Sequence, residues 1–378
     1  MKIRWSHDPR GSRHRAVALG AIAAAILVAT SAALAQVLPV AAYPIRSAPP
    51  RVGFSFSSES AAFYGEDPPS ALATLLQDLR PQLVRLPVYW EAVAPSATVL
   101  DFSSTDQLLG VIAAYNALHP ASPARVVLVV GARNLGYPEL HIPSWVDVGA
   151  GMAGILSSAP YLRYFTATVQ RYRSNPYLED WQVENEPFDD ITPVSFSDAI
   201  SATTLGHELA LVRALDPYHA TLVTSYNNAS VALDRTQMST FWAMVARLHN
   251  GGPDVVGHMP SALGAEATIL GLDAYVVTPS TPLRSAPASE RIGWKAQTLS
   301  YWAAQARSRS KALWVTEMQA MPWDGQPGFT VQNLLQSARS YRRTGPSVFL
   351  LWGVEYWLTS PAWLAGGEAA VAAMRATT

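Results

Sequence analysis

The chain has 378 residues, of which 49% are hydrophobic and 15% charged, against roughly a quarter charged in an ordinary soluble domain. Its formal net charge is -1 with no long run of either sign, so neither a nucleic-acid surface nor an acidic tail is indicated. The absence of cysteine excludes disulfides, thiolate metal sites, a cysteine nucleophile and lipid anchoring at a cysteine.

Lys2, Arg4, Arg10, Arg13 and Arg15 precede an uncharged stretch from Ala16 to Tyr43 that contains Ala33-Leu34-Ala35. A basic head, an apolar middle and small residues before a cleavage point form an export signal, here residues 1–35. Cleavage after Ala35 or Ala42 would release the chain. Left uncleaved, the same stretch is long enough to anchor it in a membrane. Residues 36–50, with several prolines, read as a linker.

From Arg51 onward short β-like runs alternate with amphipathic segments. The runs are Arg51 to Ser57, Leu83 to Trp90, Arg125 to Asn134, Trp181 to Glu186, Ala220 to Asn227, Ile269 to Val276, Ala312 to Glu317 and Ser347 to Trp357. Most are rich in Val, Leu and Ile, as strands covered on both faces should be. Between them, Leu72, Leu75, Leu76 and Leu79 repeat at helical spacing within Ser70 to Arg80, and Leu108, Leu109, Ile112 and Tyr115 do so within Asp106 to His119. Further helices are expected over Pro160 to Arg173, Ser197 to Leu215, Ser239 to Asn250, Ser289 to Arg309, Thr330 to Thr344 and Ala362 to Arg375. Pro253 to His258 competes with Ile269 to Tyr275 for sixth strand, and the second is preferred. The alternation predicts an α/β fold, a single-domain (β/α)8 TIM barrel over 51–378. An open doubly wound sheet is the rival, but no Gly-x-Gly-x-x-Gly follows the first strand and there is no P-loop.

Two runs end in an acid. Trp181-Gln182-Val183-Glu184-Asn185-Glu186 is stopped by Pro187, and Ala312-Leu313-Trp314-Val315-Thr316 runs into Glu317. Residues at the C-terminal ends of barrel strands point into one shared bowl, where enzymes place their chemistry. Two carboxyl groups facing each other there can divide acid and nucleophile roles, because different surroundings push their pKa values apart. A gap of about 5 to 5.5 Å allows direct attack with retention, and one of about 6.5 to 9.5 Å admits a water and inverts.

Asn185-Glu186-Pro187 on the fourth strand, Glu317 on the seventh, Arg85 within Val84-Arg85-Leu86-Pro87-Val88-Tyr89-Trp90 on the second and Trp352 on the eighth together resemble a clan A glycoside hydrolase of the cellulase-like family 5 or family 39 type. Gly271-Leu272-Asp273-Ala274-Tyr275 fits the sixth strand of that family. The resemblance implies a retaining enzyme acting on β-linked carbohydrate without cofactor or metal; with the N-terminal signal, a secreted monomer is expected. It makes Glu186 the general acid/base and Glu317 the nucleophile. Asn185 would contact the sugar hydroxyl beside the anomeric carbon, Arg85 and Tyr275 would hold Glu317, and Trp352 would form a platform under the sugar. Trp90 and Pro143-Ser144-Trp145 fit as scaffold. A sugar-binding barrel without turnover, and a transglycosylase using the same residues, are the alternative functions.

Strict alternation along a strand sends Asn185 and Glu186 to opposite faces. Both reach the bowl only if the backbone leaves the pleat, so a bulge or strained peptide is expected there. The same counting puts Gln182 and Glu184 on the face of Glu186, deeper in the barrel. Arg133, Asn134, Tyr226, Asn227 and Glu355 stand at strand ends as subsite or structural residues. His207, His219 and His249 are expected on helices as surface or packing residues.

Overall fold

The computed structural model describes residues 49–190, 197–227, 257–276, 286–322 and 328–376. The expected export signal, most of the linker, the helix Ser239 to Asn250 and most of the competing strand Pro253 to His258 lie outside the described residues.

Eight parallel strands close into a barrel surrounded by helices. They are β1 (Arg51–Ser55), β2 (Leu83–Tyr89), β3 (Arg125–Gly131), β4 (Leu178–Val183), β5 (Ala220–Val223), β6 (Ile269–Ala274), β7 (Ala312–Gln319) and β8 (Val348–Trp352). After Thr224 and Ser225, β5 resumes as Tyr226–Asn227, and both pieces pair with β6. Neighbours in sequence are neighbours in the sheet, and the ring closes where β1 pairs with both β2 and β8. Ile269–Ala274 is therefore the sixth strand.

The strands sort their side chains by parity. Val126, Leu128, Val130, Leu270, Leu313, Val315 and Phe349 belong to the large core between sheet and helices. Their alternates Leu83, Val127, Leu222, Ile269, Trp314, Val348 and Leu350 form a separate apolar cluster. That cluster fills the lower barrel, as stacked inward layers do in this architecture. Moving two residues up from Leu83, four from Ile269 and two from Trp314 reaches Arg85, Asp273 and Thr316, so a buried polar layer lies above the apolar one. A third cluster, Val129, Leu135, Tyr226, Tyr275 and Trp352, lies highest.

Several helices start where sequence chemistry places a cap. Asp67, Ser158, Ser201 and Thr330 each accept a hydrogen bond from the backbone N–H three residues on, opening Pro68–Leu79, Ala159–Tyr172, Ala202–Leu215 and Val331–Tyr341. Each cap satisfies a donor that the first helical turn would leave bare. Boundaries shift elsewhere. β4 stops at Val183, short of the acids; β7 runs past Glu317 to Gln319; and the expected eighth strand ends at Trp352, beyond which Val354–Thr359 is a 3-10 turn. Short helices Ser58–Phe63 and Trp90–Val93 follow β1 and β2 directly, where sequence periodicity over so few residues gave no signal. Among the described residues no helix is long and apolar enough to cross a membrane.

Two glycines separate packing from propensity. A Cβ on Gly53 would lie 1.8 Å from the Leu83 carbonyl oxygen, a backbone atom that cannot yield, whereas one on Gly110, exposed within the helix Ser103–Leu118, meets nothing. Chemical denaturation should show Gly53→Ala losing about 2–4 kcal/mol or failing to fold. By the same measurement Gly110→Ala should gain about 0.5–1 kcal/mol.

Candidate active site

Arg85, fully buried on β2, is the hub of the polar layer. Its Nε donates to Gln182 Oε1 at 2.7 Å and its Nη2 to Asn185 Oδ1 at 2.5 Å. Nη1 reaches Glu317 Oε1 at 2.9 Å, the Thr316 carbonyl at 3.2 Å and Ser55 Oγ at 3.1 Å. The Tyr275 hydroxyl donates to the other oxygen of Glu317. Burial, followed by the charges of Glu317 and Glu186, pushes the Tyr275 pKa well up, so this phenol stays a donor. Both oxygens of Glu317 are thus held, one by a cation and one by a neutral hydroxyl. Bidentate restraint of this kind fixes the direction of a carboxylate as well as its charge.

Glu317 enters the barrel through an irregularity. Between β6 and β7 the pairing passes from Leu272↔Val315 to Asp273↔Glu317, leaving Thr316 as an extra residue. Parity alone would face Thr316 inward and Glu317 outward. The extra residue lets both serve the interior, the Thr316 hydroxyl donating to Asp273 Oδ1 at 2.6 Å.

Departure from the pleat after β4 is as expected but takes the form of a turn. Glu184 and Glu186 have φ of 59° and 42°, left-handed values that cost non-glycine residues about 1 kcal/mol or more each. Glu186 N–H is tied to Thr224 Oγ1 at 2.8 Å, and Gln182 Nε2 donates to Asn185 Oδ1 at 2.9 Å. Asn185 and Glu186 therefore both serve the bowl. Gln182 faces inward as counted, but Glu184 does not. The turn at Glu184 sends its carboxyl outward, where it accepts from Ala132 N–H at 3.0 Å, Arg133 N–H at 2.6 Å and the Tyr161 hydroxyl at 2.8 Å. The Tyr161 hydroxyl also meets Glu208 on the next helix, whose carboxyl, favoured in its protonated form by burial and then Glu184, donates to it. Gly131, at φ 149°, makes room, since a Cβ there would sit 2.3 Å from the Glu184 carboxyl carbon.

One carboxylate oxygen of each of Glu186, Asp273 and Glu317 lies within 4.8 Å of the other two, and the three residues are at most 4% exposed. Burial raises the Glu186 pKa well above the usual range, and Glu139, Asp273, Asp189 and Glu317 push it further. Glu139, on the loop after β3, is pushed to about 8, burial outweighing the opposing pull of Arg133. Asp273 was not singled out from the sequence as a site residue. Its signal was available: an acid on the inward parity of a strand, four residues above an apolar core position. A second group, Glu59, Glu91 and His141, also brings three donor atoms within 4.8 Å of one another, with His141 Nδ1 at 2.9 Å from Glu91. Burial lowers the imidazole's pKa, but the two glutamates outweigh it and hold it at about 9. Either group could hold a cation by donor type. In the inner one, Arg85 and Tyr275 already occupy Glu317.

The remaining candidates divide. Trp352 and Tyr226 join Tyr275 in the upper cluster, with the Tyr226 and Tyr275 rings 5.7 Å apart. Asn134 caps the Val88 and Val129 carbonyls, Asn227 accepts from Lys295 and Glu355 accepts from Ser57 N–H, which are structural duties. Arg133 is enclosed, donating to the Asn185 carbonyl, Asp198 and Glu139. Trp90 stacks on Tyr164 and Trp145 donates to the Ala94 carbonyl, so both are scaffold. His207 lies on its expected helix, but His219 follows the helix and pairs with Asp216 at 2.7 Å. His249 lies outside the described residues.

No protein-family model matches the sequence, and no curated protein matches it. Solved structures do share the fold. A GH5_18 protein from Streptomyces cattleya in complex with GlcNAc superposes with TM-score 0.61 at 13% identity, covering 88% of this chain and 82% of that one. The exo-β-1,4-mannosidase Op5Man5 from Opitutaceae bacterium strain TAV5 gives 0.54 at 14%, covering 89% and 62%. Gan42B, a GH42 β-galactosidase, gives 0.54 at 12%, covering 88% and 57%. The eight-stranded barrel is thus shared with GH5_18 and GH42 structures, at 13% and 12% identity.

Enclosed as it is, Arg133 should be costly to remove. Arg133→Met leaves Glu139 and Asp198 buried beside an apolar chain and should destabilise the protein by about 3–5 kcal/mol near neutral pH. Without the cation both acids favour the protonated form in the folded state. Their contribution is kept at low pH and lost as pH rises, so urea denaturation should show a larger deficit at pH 7.5 than at pH 5.

Proposed function

We propose that this protein is a retaining glycoside hydrolase acting on β-linked glycosides or oligosaccharides. The observation that carries the reading is the pair Glu186 and Glu317, whose carboxyl oxygens approach within 4.8 Å across the barrel mouth in unlike surroundings. Glu317 is gripped by Arg85 and Tyr275, whereas Glu186 lies among acids that favour its protonated form. That asymmetry matches a nucleophile and a general acid, and oxygens this close support direct attack. Barrels of the same shape include a β-mannosidase and a β-galactosidase, which supports carbohydrate as the substrate class.

In the first step Glu317 attacks the anomeric carbon while Glu186 gives its proton to the departing oxygen. In the second, Glu186 takes a proton from water, which displaces Glu317 and restores the starting configuration. Asn185, aligned by Arg85 and Gln182, has its side-chain amide free to donate toward the sugar hydroxyl next to the reacting carbon. Trp352 supplies an apolar face in the upper cluster. The chemistry runs on side chains of this chain alone, and the basic head and apolar stretch at the N-terminus support export to where external glycans are met.

A panel of aryl β-glycosides tests the assignment. Glu317→Ala should abolish turnover. Glu186→Ala should lose about 10²–10⁴-fold on substrates with poor leaving groups and recover with azide, giving a glycosyl azide of retained configuration by NMR. Full activity in Glu317→Ala, or an inverted first product from the parent enzyme, would overturn it. For export, the N-terminal residue of protein recovered outside the cytoplasm should be Gln36 or Tyr43, whereas an intact N-terminus in the membrane fraction would indicate an anchor.

A further inference from the structure

The inner acid layer holds one carboxyl more than a two-glutamate mechanism uses. Asp273 is completely buried at the end of β6. Its Oδ1 accepts from Thr316, but Oδ2 has no hydrogen-bond donor. A bare carboxylate oxygen in such a place is strongly disfavoured unless a proton or a partner supplies the missing bond. One oxygen of the Glu186 carboxyl lies within 4.8 Å of one of Asp273. Two carboxylates only accept, so this contact becomes favourable when one proton lies between them.

We propose that Asp273 and Glu186 share a single proton, making Asp273 the positioning residue that delivers Glu186 to the reaction as an acid and later makes it a stronger base. The inference rests on the glycosidase reading for its mechanism but not for its geometry. Before attack, the pair carries one negative charge and Glu317 another. When Glu317 bonds to the anomeric carbon it becomes a neutral ester; the C–O bond to the leaving group breaks and the departing oxygen takes the shared proton. The pair then carries two negative charges, so the net charge of the three carboxyls stays the same through the step. Repulsion within the doubly ionised pair drives Glu186 to take a proton from the incoming water, and cleavage of the ester returns the charge to Glu317.

The other charged groups around the pair are accounted for. Arg85 faces Asp273 from β2 but makes its short contacts to Glu317, Asn185 and Gln182. Glu139 and Asp189 face Glu186 from the segments after β3 and β4, each with its own partner, Arg133 and His258. Tyr275, above β6, donates to Glu317. Of Asp273 and Glu317, the two acids grouped with Glu186 within 4.8 Å, Asp273 is the one with an oxygen lacking a donor.

The test is the pH profile of Asp273→Asn, with Asp273→Ser as a second variant in case the amide disrupts folding; circular dichroism checks both. Either variant removes one of the charges that raise Glu186, so the basic limb of kcat/KM on an aryl β-glycoside should move down by about one pH unit or more. Substrates limited by the second step should lose more in kcat than in kcat/KM. A merely structural Asp273 would lower the rate and leave the limbs in place, and that result would overturn the proposal. A second readout needs no turnover. In protein labelled with 13Cδ-glutamate, the Glu186 resonance, identified by its loss in Glu186→Gln, should titrate at lower pH in the Asp273 variants than in the parent. If the parent hydrolyses no glycoside, the proposed function falls, while this titration still decides whether the proton is shared. An unmoved Glu186 resonance overturns the sharing whatever the activity.

Discussion

The site depends on one guanidinium. Arg85 spans the barrel interior from β2 to the turn after β4 and to β7, and it bridges Gln182, Asn185 and Glu317. A buried cation is expensive, and its cost is recovered only where the surrounding groups are charged or strongly polar and well aligned. Here every nitrogen of the fork has an acceptor. Geometry also follows: with its base fixed on a central strand, the planar fork sets where Asn185 and Glu317 can stand relative to each other.

Around that fixed cation the backbone departs from regularity at the two places where acids are needed. β7 admits an extra residue at Thr316, and the chain after β4 turns through left-handed conformations at Glu184 and Glu186. Such conformations persist only when neighbours over-determine them. The neighbours are visible: Thr224 holds the Glu186 amide, and the β3 loop offers two N–H groups and an absent Cβ at Gly131 to the Glu184 carboxyl. The gap in β5 belongs to the same arrangement, since Thr224 lies within it.

A chain poor in charge thus concentrates acids in its interior. Glu186, Asp273 and Glu317 face one another, and Glu184 faces Glu208 through Tyr161 one layer out. Burial and like charge both favour protons over ions at most of these carboxyls, which makes proton affinity rather than net charge the variable that the interior controls.

The succession of strands and helices was readable in the sequence because each barrel strand is buried on both faces and each helix on one, and those burial patterns have fixed periods. The acids at the ends of the fourth and seventh strands followed from the same reading, since strand order in a barrel decides what faces what, whereas Arg85 on the second entered through the family resemblance. Periods do not say where a period breaks. The outward swing of Glu184, the extra residue at Thr316 and the split in β5 arise from hydrogen bonds between residues far apart in sequence, so nothing local marks them. Asp273 had the inward parity of a site residue all along, but only closure of the barrel brought its carboxyl within 4.8 Å of Glu186. The sequence by itself determined which acids the barrel would gather; the tertiary structure decided which of them meet, because contact across a barrel is set by register and turn geometry rather than by spacing along the chain.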